Sequence, residues 1–379
     1  MNIFQKKTVK KLPIFDIPLA IIVFLLGIFG AIMIFSAGSA YAHARYDDSF
    51  YFVKRQAIWL ILGILVMLVA ARISPVSYKK ISPILYGVTL ALLILVLLIG
   101  FVGNGAKRWI SIGPITIQPS EIAKLALIMM LSFYFSKNEE KVISQKKSDI
   151  FKYGTLLPAL ILIIPVVLVM LQKHLSCIII LSAIGLCMIV ASGTSLRYIS
   201  SFCALGASGI AAIALFTDYT KERIMVWQNP EAYKLTGGWQ TLQGLMAIGS
   251  GGIFGVGFGN SVMKHCYVSE PANDMIFAIL CEELGLFGAI LTLLLFSLLI
   301  WRAIRISIRA SDNFSRLASF GIAAKMSIQV LLNVGVVTNT IPNTGISLPF
   351  FSYGGSSLIM LFFEMGMLLS ISRYSRITK

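Results

Sequence analysis

The stretch "IPLAIIVFLLGIFGAIMIFSA", residues 17–37, contains no charged side chain. A helix needs about 20 mostly apolar residues to cross a bilayer, so this stretch predicts a transmembrane helix. Nine further apolar runs follow along the chain and predict nine further spans. They lie at about 57–73, 82–101, 121–136, 154–172, 175–192, 198–217, 274–301, 317–338 and 355–372.

The composition agrees with a membrane protein. Of the 379 residues, 57% are hydrophobic and 13% are charged, a balance that is typical of integral membrane proteins rather than of large soluble domains. The net charge of +16 could indicate a nucleic-acid partner, but the basic residues are divided among short segments instead of gathered on one soluble face. We therefore expect membrane lipids, and no nucleic acid, among its partners.

The basic residues also predict the topology. Roughly two-thirds of the 32 lysines and arginines fall in segments on the same side as the N-terminus, which the positive-inside rule assigns to the cytoplasm. Both termini are then cytoplasmic and the number of spans is even. The predicted fold class is an all-α polytopic membrane protein with ten transmembrane helices. Its large extracytoplasmic loop, at about 218–273, lies between helices 7 and 8.

The stretch "SEPANDMIFAILCEELG", residues 269–285, places Asp274 beside an apolar run and Glu282 and Glu283 inside it. Inserting an acidic side chain at mid-membrane costs about 2.5–3.5 kcal/mol of free energy, so the presence of these carboxylates requires an explanation. Asp274 lies where a substrate can reach it, although a helix start also favours an acid by its dipole. The two glutamates lie roughly 12–13 Å deeper along a helix and are expected to pair with basic or polar groups inside the bundle.

A second outside segment, "GNGAKRWISIGPITIQPSEIAKLALIMM", covers residues 103–130. Glu121 falls in the first turn of a predicted helix and Lys124 is three residues later, on the same face, so the two charges can pair. The pair can simply orient the fourth span. Alternatively, with Lys107 and Arg108 it makes a cationic outside patch that holds phosphate. The residues favour the two interpretations equally.

Two further outside segments are rich in glycine and proline. "GGWQTLQGLMAIGSGGIFGVGFGNS", residues 237–261, has six glycines between 249 and 259. They do not form a dinucleotide-binding motif and favour close backbone packing or a re-entrant bend. "NVGVVTNTIPNTGISLPFFSYGGSS", residues 333–357, is expected to pack back into the bundle, because irregular backbone at membrane depth persists only against protein or a wet cavity.

"LPFFSYGGSS", "GAKRWISIG", "QPSEIAK" and "AIGSGGIFGVGFGNS", together with the acidic stretch, resemble the shape, elongation, division and sporulation (SEDS) family. The resemblance covers nearly the whole chain, so residues 1–379 are expected to form one transmembrane domain. "MIFSAGSAYAHARYDDSF" and "GNSVMKHCYVSEPANDMIFA" are more similar to the division and sporulation branch (FtsW, SpoVE) than to the elongation branch (RodA).

The resemblance implies an inverting peptidoglycan glycosyltransferase that polymerises lipid II at the outer face of the bacterial cytoplasmic membrane, for division or sporulation. It also implies a class B penicillin-binding protein as transpeptidase partner, with other divisome proteins nearby. A divalent cation, Mg²⁺ or Mn²⁺, is a possible cofactor and no organic cofactor is expected. A flippase for the lipid-linked precursor and a division scaffold without catalysis are the alternatives.

The family's catalytic acid maps onto Asp274, which we predict to be the general base. The predicted substrate-binding residues lie in the motif segments and the long outside loop. They are Lys107, Arg108, Glu121, Lys124, Arg223, Gln243 and Ser352. No metal ligand is assigned.

The sequence departs from the family pattern at four places. Ala272 and Met275 stand where His and Phe commonly surround the acid, and "QKHLSC", residues 172–177, replaces the usual "QPDLGT". His174 therefore stands in place of an acid, and Asn339 stands in place of a glycine. These departures change the side chains around the site, and none of them removes Asp274.

Overall fold

The fold is taken from a computed structural model, which describes residues 15–103, 106–113, 115–144, 146–194, 218–235, 237–265, 267–268 and 271–374. Most of these residues are helical. The helices are α1 Ile17–Tyr46, α2 Tyr51–Ala70, α3 Pro75–Ile99, α4 Pro119–Lys137, α5 Glu139–Val142, α6 Lys147–Asp149, α7 Leu157–Leu171, α8 Leu175–Ala191, α9 Asp218–Gln228, α10 Gly238–Gly251, α11 Ile276–Arg309, α12 Asn313–Val337 and α13 Gly355–Arg373. A π-helical segment, Ile150–Leu156, runs directly into α7.

Seven described segments are long and apolar enough to cross a membrane, and each overlaps a predicted span. They are α1, α2, α3, Ile150–Leu171, α11, α12 and α13. The shorter apolar α8 and the 19-residue α4 coincide with two more predicted spans. The predicted seventh span, 198–217, lies outside the described residues. The chain is thus an integral membrane protein, while the count of ten spans and the orientation remain predictions.

Side-chain caps begin several of the spanning helices. The Asp16 carboxylate accepts a hydrogen bond from the Leu19 N–H at 3.0 Å, and Ser74 caps α3 through the Ser77 N–H at 3.2 Å. Asp312 caps α12 in the same way. Each cap satisfies one of the N–H groups that a helix start leaves without an intrahelical partner. The caps therefore fix where these helices start.

The all-α prediction is incomplete, because a small antiparallel sheet joins α3 to α4. Its strands are Phe101–Gly103, Ala106–Ile112 and Ile115–Ile117, named β1, β2 and β3, in the order β1-β2-β3. Gly113, at φ +61°, makes the tight turn between β2 and β3, a conformation that glycine adopts readily. Strands of this length contribute too little alternation to stand out beside long apolar runs. The sheet places Lys107 and Arg108 on a rigid strand instead of a loop.

Helix α4 lies in the interior of the bundle. It packs against α3, α8, α12 and α13, and most of its side chains are buried, including Glu121 and Lys124. A helix enclosed by other helices can carry charged groups that a lipid-facing helix cannot, provided that the charges are paired. The helix also contacts β2, so the fourth predicted span lies beside the strand that carries Lys107 and Arg108.

The glycine-rich segment pairs its backbone with an interruption in α11. Gly285 has φ +65° and ψ −163°, which breaks the helical conformation inside the predicted span. The Val256 N–H donates to the Glu282 carbonyl at 2.9 Å, and the Leu286 N–H donates to the Gly252 carbonyl, also at 2.9 Å. The peptide groups that the interruption frees are thus bonded within the protein. This confirms the prediction of close backbone packing by the glycine-rich segment.

Candidate functional site

The loop between α12 and α13 folds back onto the turn that contains Asp274. The Tyr353 N–H donates to the Ala272 carbonyl at 2.9 Å, and the Ser352 hydroxyl donates to the Asn273 carbonyl at 2.8 Å. From α12, the Asn333 side-chain amide donates to the Asp274 carbonyl at 3.0 Å. The prediction that this loop packs into the bundle is therefore confirmed, and three separate hydrogen bonds hold the backbone of the acidic turn.

Asp274 itself lies in the turn that precedes α11, two residues before Ile276, and is half-buried. Gly345 of the folded-back loop faces its carboxylate: a Cβ atom at Gly345 would lie 3.1 Å from Asp274 Oδ2. Gly345 also has φ +68°, which side chains rarely adopt. Glycine thus lets the loop approach the carboxylate closely, and any side chain at this position would crowd it.

Glu282 is bound by the chain that follows the glycine-rich segment. The Ser261 hydroxyl donates to one carboxylate oxygen at 2.5 Å, and the Val262 N–H donates to the other at 2.9 Å. The Met263 N–H donates to that second oxygen at 3.4 Å. Glu282 is 1% exposed. Its carboxylate therefore holds the turn at residues 261–263 in place, and a substrate cannot reach it.

Glu283 is likewise enclosed and paired. Lys264 Nζ lies 3.0 Å from Glu283 Oε1, and the Ser36 hydroxyl lies 2.6 Å from the same oxygen. Both charged side chains are almost wholly buried. The prediction that the two deep glutamates pair with basic or polar groups inside the bundle is confirmed. Ser36 and Lys264 were not among the predicted site residues. The one signal in the sequence was that Lys264 is a lone lysine after a glycine-rich run.

Glu121 and Lys124 form the predicted ion pair on α4, with Nζ to Oε1 at 2.7 Å and both side chains buried. The Ser357 hydroxyl, at the start of α13, donates to Glu121 Oε2 at 3.3 Å. The pair therefore joins two helices as well as two charges. This geometry agrees with the interpretation in which the pair orients the fourth span. Phosphate binding by the pair remains a prediction.

The other predicted substrate-binding residues are distributed around the same loops. Lys107 is exposed on β2, and Arg108 Nη2 donates to the Lys173 carbonyl at 2.6 Å, in the turn between α7 and α8. Arg223, on α9, donates to the Asn343 carbonyl. Arg108 is thus attached to the α7–α8 turn and Arg223 to the loop between α12 and α13.

Gln243 and Ser352 are the two remaining predicted substrate-binding residues. Gln243 is buried on α10, and a Cβ atom on its neighbour Gly244 would lie 3.5 Å from Met275 Sδ. Ser352 contacts the turn directly through the hydrogen bond to the Asn273 carbonyl. Ser352 is thus attached to the acidic turn, and Gln243 lies on the helix whose Gly244 faces Met275; that either residue binds substrate remains a prediction.

The departures from the family pattern have physical explanations. Asn339 has φ +54°, a left-handed conformation that asparagine tolerates better than most residues, so it can replace a glycine. It is held by Trp227, whose indole N–H donates to the Asn339 carbonyl at 3.0 Å. Ala272 and Met275 are both buried packing residues. His174 is buried at the start of α8.

In the part of the chain that the structure describes, no group of three or more His, Cys, Asp or Glu side chains is placed to hold a metal ion. Mg²⁺ is commonly bound by one or two carboxylates together with substrate phosphates. Asp274 alone would fit that pattern, so a divalent cation bound jointly with substrate remains a prediction.

The bundle and the loops that enclose Asp274 define a polytopic membrane protein with a carboxylate site at one end of its helices. The chain belongs to the cell cycle protein family of FtsW, RodA and SpoVE, whose family model matches residues 17–377. This confirms the resemblance to the SEDS family.

The chain is similar to several named proteins along its whole length. It is 39% identical to stage V sporulation protein E of Bacillus subtilis (strain 168) over 363 residues, which cover 95% of this chain and 98% of the relative. It is 36% identical to the probable peptidoglycan glycosyltransferase FtsW of Geobacter metallireducens over 375 residues, 98% of each protein.

Two solved structures share the fold. A chain from a study of how a peptidoglycan synthase complex coordinates polymerization and crosslinking superimposes with a TM-score of 0.79 at 27% identity, over 95% of this chain and 98% of that one. The rod shape determining protein RodA of Thermus thermophilus superimposes with a TM-score of 0.70, also at 27% identity, over 97% of this chain and 99% of that one.

Proposed function

We propose that this chain is a peptidoglycan glycosyltransferase that polymerises lipid II, with Asp274 as the general base. The observation that carries the proposal is the difference among three nearby carboxylates. Glu282 and Glu283 are enclosed and bound by internal partners, whereas Asp274 is half-buried between two loops, opposite Gly345. Glu282 and Glu283 are 1% and 0% exposed, so by exposure Asp274 is the one of the three carboxylates that a sugar hydroxyl can approach.

The reaction requires only one carboxylate. The 4-hydroxyl oxygen of the acceptor sugar bonds to the anomeric carbon of the donor, whose bond to the pyrophosphate oxygen breaks with both electrons leaving on the lipid pyrophosphate. Asp274 accepts the hydroxyl proton. Glycoside hydrolases need a second carboxyl group as acid for a poor leaving group, but pyrophosphate leaves without protonation.

The leaving pyrophosphate needs positive charge nearby. Lys107, Arg108 and Arg223 are the proposed donors of that charge. Lys124, positioned by Glu121 and enclosed with it, is proposed to contribute through the field of its charge. A Mg²⁺ or Mn²⁺ ion held by substrate phosphates would supply the same stabilisation. If Arg108 stabilises developing charge, Arg108→Ala should lower polymerisation on the order of 100-fold. Unchanged turnover in a folded Arg108→Ala protein would contradict its role.

We also propose where the protein acts and which partner it works with. The active site would face outward from the bacterial cytoplasmic membrane, where a class B penicillin-binding protein cross-links the new glycan, with other divisome proteins and membrane lipids nearby. The similarity to a chain from a peptidoglycan synthase complex supports this partnership. The relatives named for sporulation and for FtsW support a role in sporulation or division. Co-purification with a penicillin-binding protein from native membranes tests the partnership.

The test of the proposed function is purified protein with lipid II in detergent, with and without its transpeptidase partner. Asp274→Asn should lower polymerisation by about 10²–10⁴-fold, because the amide keeps the shape but cannot accept the proton. Asp47→Asn is the matched control, since its side chain is 97% exposed in the α1–α2 connection. Equal polymer from the wild-type and Asp274→Asn proteins would refute the assignment.

The same preparation separates the alternatives. Leaflet exchange of lipid II without polymer would indicate a flippase, and recruitment of the partner by an inactive protein would indicate a scaffold. Charges deep in the bundle do not in themselves favour a flippase: Lys325 and Glu364, for example, pair at 2.5 Å with both side chains fully enclosed.

A further inference from the structure

Four buried polar atoms near α4 and α8, each able to donate a hydrogen bond, have no partner among the residues that the structure describes. They are His174 Nδ1, Ser120 Oγ, Thr344 Oγ1 and Arg108 Nε. Buried polar atoms in proteins are almost always hydrogen-bonded, so each exception calls for a reason. The imidazole of His174 and the hydroxyl of Ser120 are the most enclosed, at 8% and 1% residue exposure.

These four residues belong to segments that contact one another. Arg108 donates through Nη2 to the carbonyl of Lys173, the residue before His174. Ser176 donates to the Thr344 carbonyl. One turn into α8, Cys177 Sγ lies 3.9 Å from the Ser120 carbonyl oxygen. The donors are therefore contributed by β2, by the N-terminal ends of α4 and α8, and by the loop that also faces Asp274.

The electrostatic surroundings of this group favour an anion. Two helices begin here, and a helix N-terminus presents N–H groups and a positive dipole end. His174 interacts electrostatically with Arg108 and Lys124, and also with Glu121, whose negative charge is paired with Lys124. Burial, with Arg108 and Lys124 adding to it, lowers the pKa of His174 to about 3. The imidazole is then neutral at pH 7 and presents one N–H donor and one acceptor.

We propose that His174 and Ser120, with Thr344 and Arg108, bind phosphate oxygens of the lipid-linked pyrophosphate substrate. This inference rests on the proposed function and names a contact for the leaving group of the same site. All four unpartnered atoms can donate a hydrogen bond, and phosphate oxygens are acceptors only, so the chemistry of the group matches. An acid at position 174 would repel phosphate, whereas the neutral imidazole donates to it.

The experiment measures the binding of a polyprenyl pyrophosphate, the leaving product, to purified full-length protein. His174→Leu should weaken binding by about 10- to 100-fold, because it removes one hydrogen bond to a charged acceptor. His174→Asn places an amide N–H near the position of Nδ1 and should restore most of the affinity. With lipid II, His174→Leu should raise KM more than it lowers kcat, because phosphate is held in the ground state as well as in the transition state.

Ser319→Ala is the matched control. Its hydroxyl is also buried without a partner among the described residues. Ser319 lies near the start of α12, however, about 27 Å along the helix from Val337, where α12 ends and the loop that contains Thr344 begins. This variant should bind as the wild type does. If His174→Leu does not fold, Ser120→Ala provides the same test, with a loss of about 10-fold expected.

Parallel titrations with phosphatidylglycerol vesicles and with inorganic pyrophosphate identify the source of the phosphate. Altered binding of phosphatidylglycerol alone would overturn the substrate assignment, as would equal binding of the polyprenyl pyrophosphate by the wild type, His174→Leu and Ser120→Ala. A wild type that polymerises lipid II while these variants bind normally refutes this inference but not the proposed function. A wild type that binds the pyrophosphate through His174 but makes no polymer refutes the proposed function alone.

Discussion

The Ser352 hydroxyl donates a hydrogen bond to the Asn273 carbonyl at 2.8 Å, across 79 residues of sequence. The same oxygen accepts a hydrogen bond from the Leu348 N–H at 2.8 Å. Ser352 therefore closes its own loop and attaches that loop to the residue before Asp274. A hydroxyl can act in both ways at once because it has one donor and two acceptor sites. The position of the proposed base thus depends on a side chain that transfers no proton in the proposed reaction.

Ser352→Ala should lower kcat by about 10- to 100-fold, because a displacement near 1 Å at the reacting group can cost about 10²-fold. The loss of two hydrogen bonds should also cost about 1–3 kcal/mol of folding free energy. Ser327→Ala is the control: its hydroxyl donates only to the Ala323 carbonyl within α12, at 2.9 Å. Polymerisation of lipid II and the melting temperature in detergent measure both effects. Wild-type kcat in Ser352→Ala would contradict the positioning role.

Glu283→Gln should destabilise the protein without altering turnover per folded molecule. Removing one member of a buried ion pair leaves the charge of Lys264 uncompensated, at a cost of about 3–5 kcal/mol. The matched control is the surface pair of Lys54 and Asp48, which is 2.8 Å long and whose side chains are 64% and 36% exposed, so Asp48→Asn should leave the melting temperature nearly unchanged. A stable and inactive Glu283→Gln protein would instead move the base deeper into the bundle.

The double substitution Lys264→Met with Glu283→Gln separates the two causes of instability. If the single variant is destabilised by a stranded charge, removing both charges should recover most of the loss. The contrary outcome is a double variant that loses as much free energy of unfolding as the two single variants together. In that case the stability comes from the hydrogen bonds that Ser36 donates to Glu283 and that Gly259 accepts from Lys264, at 2.6 Å each.

Sequence alone predicted the described spanning helices because a long apolar run has few other stable environments. It placed their ends less well. α1 was expected to end near residue 37 and continues to Tyr46, whose ring stacks on Tyr51 at 3.8 Å between centroids. Such contacts between neighbouring helices determine helix ends, and hydropathy contains no information about them.

The candidate site was predictable where its partners are close in sequence. Glu121 and Lys124 are three residues apart on one helix, and that spacing alone brings them together. The partners of Glu283 could not be derived in this way, because Ser36 lies 247 residues away and depends on how α1 packs against α11. Asp274 was identified through a motif, whereas the loop that encloses it needed the tertiary structure.

Gly255→Ala should be among the most damaging small substitutions in this chain. Gly255 has φ +79°, and an added Cβ atom would lie 2.1 Å from the Glu283 carbonyl oxygen. The backbone strain alone costs about 1–3 kcal/mol, and the clash would separate the glycine-rich segment from α11. Gly249→Ala is the control, since nothing lies within 4 Å of its Cβ position in α10, and alanine favours a helix by about 0.5–1 kcal/mol. Equal melting temperatures for the two variants would contradict the close backbone packing.

The stability of the protein should fall on acidification in part through His174. Its pKa is about 3 in the folded protein, because burial disfavours the charged imidazole, against an ordinary value of 6.5. Between these values the unfolded chain binds a proton that the folded chain does not, so stability rises with pH through this range and is fully present above about 6.5. Lowering the pH from 7.5 to 5.5 should then cost on the order of 1 kcal/mol through this residue.

His174→Asn should lose less stability than the wild type over the same interval, whereas His265→Asn, at an exposed position, should lose as much as the wild type. Melting temperatures in detergent at the two pH values measure the difference, and an identical loss in His174→Asn and wild type would show that the imidazole is accessible to protons in the folded protein.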